Sequence, residues 1–419
     1  MKPIEEVIII GAGPIGLAAA ARLVEKGIRP TVIEKGHTVG AAILKWGHVS
    51  LFTPWSYMVD EAVANLLTRH GWSGVDANVT PTGRQVVEQY LQPAAELPEL
   101  AEHIRYSTEV FGVSKAGISK HTTLGRDSAR FVVHCRNEQG IQVLHSDAVI
   151  DASGTWSTPN PLGLDGLPVP GELANQESVY YGIPDILGTQ RNGFARKRTL
   201  VVGAGHSAMN IVLDLLRLQT VASGTEVIWG LRKDNIDKLL GKGINDKVPA
   251  RRQLGLAAKE AMEHGALKLV SQLDIKELTR TEHGLDISAL AAGTHIKMQV
   301  DNIIVATGFS PDLEMLRELR LDLDHIVEAP SRLAPLIDPN LHSCGSVRTH
   351  GVDELSHHDR HFYIVGMKSY GRAPTFLMLT GYEQVRSIVE SLAGNDVAAR
   401  SSQLRFPGAP ETQQGACCS

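Results

Sequence analysis

A chain of 419 residues is long enough for two or three domains with a full core. With 43% hydrophobic residues, 21% charged residues and a net charge of -5, it reads as a globular protein. It has no basic run that would point to nucleic acid or an anionic membrane. No apolar stretch is long enough to span a bilayer, and the first residues lead into a strand rather than a secretion leader, so a cytoplasmic location is expected. The four cysteines, Cys135, Cys344, Cys417 and Cys418, form no disulfide framework and include no Cys-x-x-Cys or Cys-x-x-x-x-Cys pair.

Val7 to Ile10 is a β-branched run expected to form a buried parallel strand. An Ala-rich helix from Leu17 to Lys26 follows, stopped by Gly27, and Thr31 to Glu34 is the next strand. Between strand and helix lies Gly11-Ala12-Gly13-Pro14-Ile15-Gly16. Gly11 permits the tight turn, Gly13 lets backbone approach a diphosphate, and Gly16 lets helix pack closely on strand. The helix N-terminus favours an anion, and Glu34 stands where an acid binds a ribose hydroxyl pair. Pro14, Ile15 and Lys35 complete the predicted loop. The motif alone does not separate FAD from NAD. Its early place in an interrupted domain favours FAD.

Residues 36 to 100 mix helices with irregular, aromatic-rich segments. Trp46, His48, Phe52 and Trp55 are candidates to wall a flavin ring, with ordinary packing as the competing reading. Val110 is counted with the FAD contacts. Arg130 to Cys135 and Gln142 to Leu144 are expected to pair around a turn at Glu138-Gln139-Gly140. Asp147 to Asp151 returns to a buried strand and runs into Ala152-Ser153-Gly154-Thr155-Trp156, where Ser153 and Gly154 are expected at the FAD.

Thr199 to Val202 opens a second unit of the same kind, with Gly203-Ala204-Gly205-His206-Ser207-Ala208, a helix from His206 to Arg217, and a strand from Glu226 to Trp229. No acid matches Glu34 there. Arg232 and Lys233 follow instead, a pattern that accommodates a 2′-phosphate and so prefers NADPH over NADH, with Arg251 and Arg252 adding to the basic surface. The competing reading is that Arg232 and Lys233 are solvated loop charges. Asp301 to Gly308 mirrors 147 to 154, so Thr307 and Gly308 join the NADPH set.

The expected fold class is α/β, with two Rossmann-like doubly wound domains and the NADPH domain inserted into the FAD domain. The expected boundaries are 1–159, 160–300 and 301–394, with a mobile tail at 395–419. Gly366 follows the strand Phe362 to Val365, and a helix is predicted to begin near Pro374, bringing Thr375 to the FAD. Met367 and Lys368 follow this Gly. Lys368, Arg372 and His48 are the catalytic candidates, the first two as stabilisers of an anionic reduced flavin. Histidines near Cys344 match no zinc spacing, and no metal is expected. Cys417 and Cys418 are adjacent thiols that suit capture of a soft thiophile such as As(III), or an inert tail.

The ordered set of both fingerprints, Glu34, Ala152-Ser153-Gly154 and Val305-Ala306-Thr307-Gly308-Phe309 resembles the flavoproteins with two dinucleotide-binding domains over residues 4 to 394. The disulfide-reductase branch uses a redox cysteine pair, absent here. The segment Ser153 to Pro159 is similar to the turn of class B flavin monooxygenases, but their Phe-x-Gly-x-x-x-His signature is missing, and the chain reads Val179-Tyr180-Tyr181-Gly182-Ile183-Pro184-Asp185 instead. Residues 46 to 55 and 366 to 376 resemble more narrowly the flavin monooxygenase-like proteins of arsenic-resistance gene clusters. The resemblance implies NADPH reduction of FAD. It further implies that a flavin C4a-peroxide gives one oxygen to a soft small-molecule nucleophile containing sulfur, nitrogen, selenium or trivalent arsenic. Two other readings stay open: a reductase or oxidase that passes electrons to quinone, oxygen or a protein partner, and a redox-sensing binder.

Overall fold

The computed structural model describes residues 3–233, 256–257, 259–339, 341, 350–373 and 376–404. The chain divides into two compact units, Met1–Thr158 with Ser310–Ser419, and Pro159–Phe309. In chain order the first unit contributes β1 (Glu6–Ile10), β2 (Arg29–Ile33), β3 (Ile104–Arg105), β4 (Glu109–Lys115), β5 (Phe131–Asn137), β6 (Gly140–Ser146) and β7 (Ala148–Asp151). The second contributes β8 (Val179–Tyr181), β9 (Arg198–Val202), β10 (Glu226–Gly230), β11 (Lys268–Val270), β12 (Leu273–Thr281), β13 (Gly284–Ala291), β14 (Thr294–Val300) and β15 (Asn302–Val305). The first unit closes with β16 (Phe362–Ile364).

The first unit holds a parallel sheet ordered β16-β7-β1-β2-β3. The second holds a parallel sheet ordered β11-β10-β9-β15-β8. Each unit adds an antiparallel three-stranded sheet, β4-β5-β6 or β12-β13-β14. The continuous apolar run of β1 explains its central place, because both faces of a parallel strand are covered. Val7 and Ile9 pack into the helix-side core, while Ile8 and Ile10 pack with Val113, Phe131 and Val133 of the antiparallel sheet. β9 alternates likewise: Val201 joins the core of the helical layer, and Leu200 and Val202 join Ile275 and Ile287.

Helix α1 (Pro14–Glu25) buries all four of its alanines. It is tied to α2 (Glu61–Arg69) through Arg22, which donates to Asp60 at 2.6 Å. Asp60 also caps α2, accepting from the Ala62 and Val63 amides. In the second unit α3 (His206–Val221) covers the sheet. The last long helix, α4 (Met378–Leu392), packs on α1, where a side chain at Gly381 would come within 2.5 Å of Ile15.

Four sequence expectations need correction. β10 continues through Gly230, past Trp229, because Gly230 pairs with Val202. Asn302–Val305 pairs with β9 and β8, so the second unit runs to Phe309 rather than 300. The helix after Gly366 begins at Met378, not near Pro374. Beyond 395, α5 (Asp396–Arg400) is anchored to α4, with Ser387 donating to Ala399 O at 2.6 Å and Arg386 to Ala398 O at 2.9 Å. No helix of the described residues is long and apolar enough to cross a membrane.

Candidate functional site

In the first unit β1 runs into Gly11, whose amide donates to Ile33 O at 2.8 Å. Its φ of +101° suits glycine, and a Cβ would lie 2.8 Å from Ala152 O. A Cβ at Gly16 would lie 1.9 Å from Gly11 O, so helix and strand could not meet. Gly13 differs: a Cβ there would meet nothing within 4 Å. It is also the N-cap of α1, with no side chain capping the helix and Pro14 at its first turn. An open cradle over uncapped helical amides fits a diphosphate. Glu34 accepts the Ala12 amide through Oε2 and the Gly36 amide through Oε1, both at 2.7 Å. A carboxylate has about four acceptor positions, so capacity remains for a ribose diol. These residues fit the adenosine diphosphate half of FAD. Lys35 instead pairs with Glu109 at 2.5 Å, and neighbouring Val110 packs beneath the sheet as a partly buried residue.

The turn after β16 rests on this loop. A Cβ at Gly366 would sit 3.2 Å from Ile15. Gln384 of α4 accepts the Gly366 amide at 2.8 Å, and Ser369 donates to Gly366 O at 2.7 Å. Lys368 is buried. Its side chain is 1% exposed and donates to Asp151 Oδ2 at 2.7 Å and Ser153 Oγ at 3.1 Å, while Asp151 is 0% exposed. Asp151 Oδ1 takes both the Ser153 amide and hydroxyl. Arg372 pairs with Glu328 at 2.7 Å on a half-exposed surface, so its charge is already compensated.

Of the aromatic candidates, Trp55 is a core residue, 3% exposed and edge-on to Tyr90, and cannot wall a ligand. Trp46 is half-buried and packs on Trp156 at 6.3 Å. His48 and Phe52 are also half-buried, and His48 Nε2 is buried without a hydrogen-bond partner.

The second unit repeats the loop. Gly203 has φ +146°, and a Cβ there would lie 2.2 Å from Ala306 O. Gly205 caps α3 without a side-chain bond, and its Cβ position is open. His206 and Ser207 begin the helix, and Ala208 is fully buried where the first unit needs Gly16. Gly203 N donates to Gly230 O as Gly11 N does to Ile33 O, so Leu231 takes the place of Glu34. Leu231 is buried. Arg232 is no free phosphate ligand: its Nη2 donates to the carbonyls of Pro161 at 2.6 Å, Leu162 at 3.0 Å and Gly163 at 3.4 Å. Burial holds its pKa below the usual guanidinium value. Lys233 is exposed. Thr307 donates to Asn160 O at 2.7 Å, beside Gly308 at φ +91°.

Thr375, Cys417 and Cys418 lie outside the described residues, as do Arg251, Arg252 and Cys344. Sequence reasoning missed Asp151, Gln384 and Trp229, whose indole donates to Gly203 O at 2.8 Å. An acid closing the apolar run Ala148–Asp151 was the one local signal for the first.

A family model described as pyridine nucleotide-disulphide oxidoreductase matches residues 8–344, across both fingerprints. Mercuric reductase of Shigella flexneri is 25% identical over 341 residues, covering 80% of this chain and 52% of that protein. Flavin-containing monooxygenase 1 of Homo sapiens is 26% identical over 223 residues, covering 51% of this chain and 38% of that one. The chain thus spans about half the length, or less, of these curated relatives. Among solved structures, bacillithiol disulfide reductase Bdr from Bacillus cereus shares the fold with a TM-score of 0.67 at 21% identity, over 93% of this chain and 99% of that one. The chain belongs to the pyridine nucleotide-disulphide oxidoreductase family: it is a flavoprotein oxidoreductase related to the class B flavin monooxygenases, with FAD and NADPH as its cofactors.

Proposed function

We propose that the protein is an NADPH-dependent flavin monooxygenase that transfers one oxygen atom to a soft nucleophile, either trivalent arsenic or a sulfur or nitrogen compound. The observation that carries this reading is a reductase-type dinucleotide site in a chain whose four cysteines form no redox pair by spacing. Such a chain offers electrons from NADPH none of the closely spaced thiol pairs that a disulfide reductase uses. The likeness to a flavin-containing monooxygenase supports the same direction.

Bound FAD supplies the hydride acceptor and the reaction with oxygen. The chain supplies geometry. Gly13 and the start of α1 hold the diphosphate, and Glu34 holds the ribose. Half-buried Trp46 and Trp156 shield the first-unit crevice from water. In the second unit Gly205 and the start of α3 hold the NADPH diphosphate, and Lys233 is the cation left for its 2′-phosphate. A substrate with its own lone pair needs no general base. For a thiophilic substrate, Cys417 and Cys418 provide capture, so replacing both with Ser lowers kcat/KM for arsenite and leaves that for an organic sulfide unchanged.

The test is to reduce the protein anaerobically with NADPH, then admit oxygen together with arsenite, a thioether or an amine. One oxygenated product per NADPH, with little hydrogen peroxide, is expected. Stoichiometric hydrogen peroxide without product would overturn the reading in favour of an oxidase or reductase.

A further inference from the structure

We propose that Lys368 is a direct ligand of FAD, its third ammonium proton donated to a cofactor oxygen while Asp151 and Ser153 hold it in place. The inference rests on FAD binding in the first unit. An ammonium carries three donors, and two are accounted for, at Asp151 and Ser153. Both Asp151 oxygens are already engaged. At 1% exposure the remaining N–H has no bulk water to satisfy it, and buried donors are almost always paired.

Its place in the fold says what the partner is. Asp151 pairs in register with Ile10 of β1 on one side and Ile364 of β16 on the other. β1 and β7 are the neighbours between which the strand order reverses, and ligands of such sheets bind at that crevice, beyond the carboxyl ends of the strands. Ser153, the next ligand of the ammonium, is exposed at the rim, so the crevice is reachable from outside.

The second unit shows that the fold itself does not require these charges. There Val202 pairs with Val305 as Ile10 pairs with Asp151, and Val305 is a buried aliphatic residue. A buried ion pair gains little stability over apolar residues of similar size. The same sheet with the same register works with valine at this position, so the charges of the first unit serve its ligand.

The experiment compares wild type with D151V/K368M, which copies the apolar arrangement of the second unit. Apoprotein of each is titrated with FAD and with ADP, flavin absorbance is recorded, and NADPH binding and thermal melting are measured alongside. The double variant should melt close to wild-type apoprotein and bind NADPH normally, yet bind FAD about 10- to 100-fold more weakly, as expected for loss of a charged hydrogen bond. If ADP weakens in parallel, the acceptor is a diphosphate oxygen. If ADP is unaffected and the flavin spectrum shifts, the acceptor lies in the flavin half. Wild-type FAD affinity and spectrum in the double variant would overturn the proposal and leave the pair purely structural. Should valine at 151 prevent folding, D151N/K368M keeps an amide beside Ser153 and carries the same outcomes. Wild-type apoprotein that takes up no FAD would instead overturn the cofactor reading itself.

Discussion

The two units share the order of four parallel strands, β3-β2-β1-β7 and β11-β10-β9-β15, and differ in the fifth, which is the last strand of the first unit (β16) and the first of the second (β8). The glycine turns match, and each unit has a three-stranded antiparallel sheet, yet polarity is almost opposite at equivalent positions. Asp151 faces Val305 in this correspondence, and Glu34 faces Leu231. The first unit places one fully buried ion pair, Lys368 with Asp151, at the end of a central strand. The second places charged groups on a peripheral loop: Glu172 accepts the amides of Leu162 and Val169 and the hydroxyl of Tyr181, while Arg232 binds the carbonyls of 161 to 163. The glycines and the apolar strands are therefore what the fold requires. The polar substitutions mark what each unit holds.

The strongest way to break the correspondence is to block one cradle at a time. Gly13→Glu and Gly205→Glu both add a side chain into open space, so the fold should survive. Each places a carboxylate beside a diphosphate, a repulsion of about 4 kcal/mol at surface-like screening, or about a thousandfold in affinity. G13E should lose FAD and keep NADPH, and G205E the reverse, by calorimetric titration. Loss of both cofactors in either variant would mean that the units do not act independently.

A second contrast concerns stability. Arg126 and Asp359 of the first unit form a forked pair at 2.6 and 2.7 Å, with side chains 2% and 1% exposed. Arg126→Ala leaves a buried carboxylate and should cost about 3–5 kcal/mol. Arg198 and Asp301 of the second unit are partly exposed, and Arg198→Ala should cost about 1 kcal/mol. Urea denaturation followed by fluorescence would compare them.

Acid should also separate the units. Burial pushes His357 from the ordinary 6.5 down to about 4, where its Nδ1 accepts the Asp322 amide at 3.1 Å. Unfolded chain therefore binds this proton first as pH falls. The stability contribution is complete above about pH 6.5 and is lost down to about 4, reaching about 3 kcal/mol. His361, the other described histidine with a lowered value, also lies in the first unit. Melting temperature between pH 6.5 and 4 should fall in wild type and fall less in His357→Gln.

The smallest effect is cofactor preference. Leu231→Glu with Lys233→Ser restores the acid and removes the exposed cation. The NADPH to NADH ratio of kcat/KM should then drop about tenfold or more. Arg232→Ala should weaken both nucleotides alike, because it acts through the loop at 161 to 163.

What could be read from sequence was local. Gly11, Gly13 and Gly16 declare themselves within six residues, because backbone geometry and close approach are properties of short segments. What stayed hidden was long-range. Lys368 and Asp151 are 217 positions apart, and Arg126 and Asp359 are 233 apart, so no window shows either pair. For Trp55 and Arg232 the sequence left two readings open for a different reason. An aromatic residue in a loop looks the same whether it lines a ligand or fills a core. A basic residue after a strand looks the same whether it awaits a phosphate or anchors a carbonyl.

The chain leaves the first unit at Thr158 and returns at Ser310, and these two residues bond to each other, Ser310 N to Thr158 O at 3.0 Å and Thr158 Oγ1 to Ser310 O at 2.7 Å. On the ribosome this sets a timetable. β7 emerges with β1 already beside it, but its other partner, β16, follows only after the whole second unit has been made. Through that interval Val149 and Ile150 form an uncovered strand edge, the feature that templates wrong pairing between nascent chains. The unit that starts first finishes last. Slow decoding anywhere between 159 and 309 would lengthen the exposure, so the yield of folded protein should depend on translation speed through the second unit more than on the stability of the first.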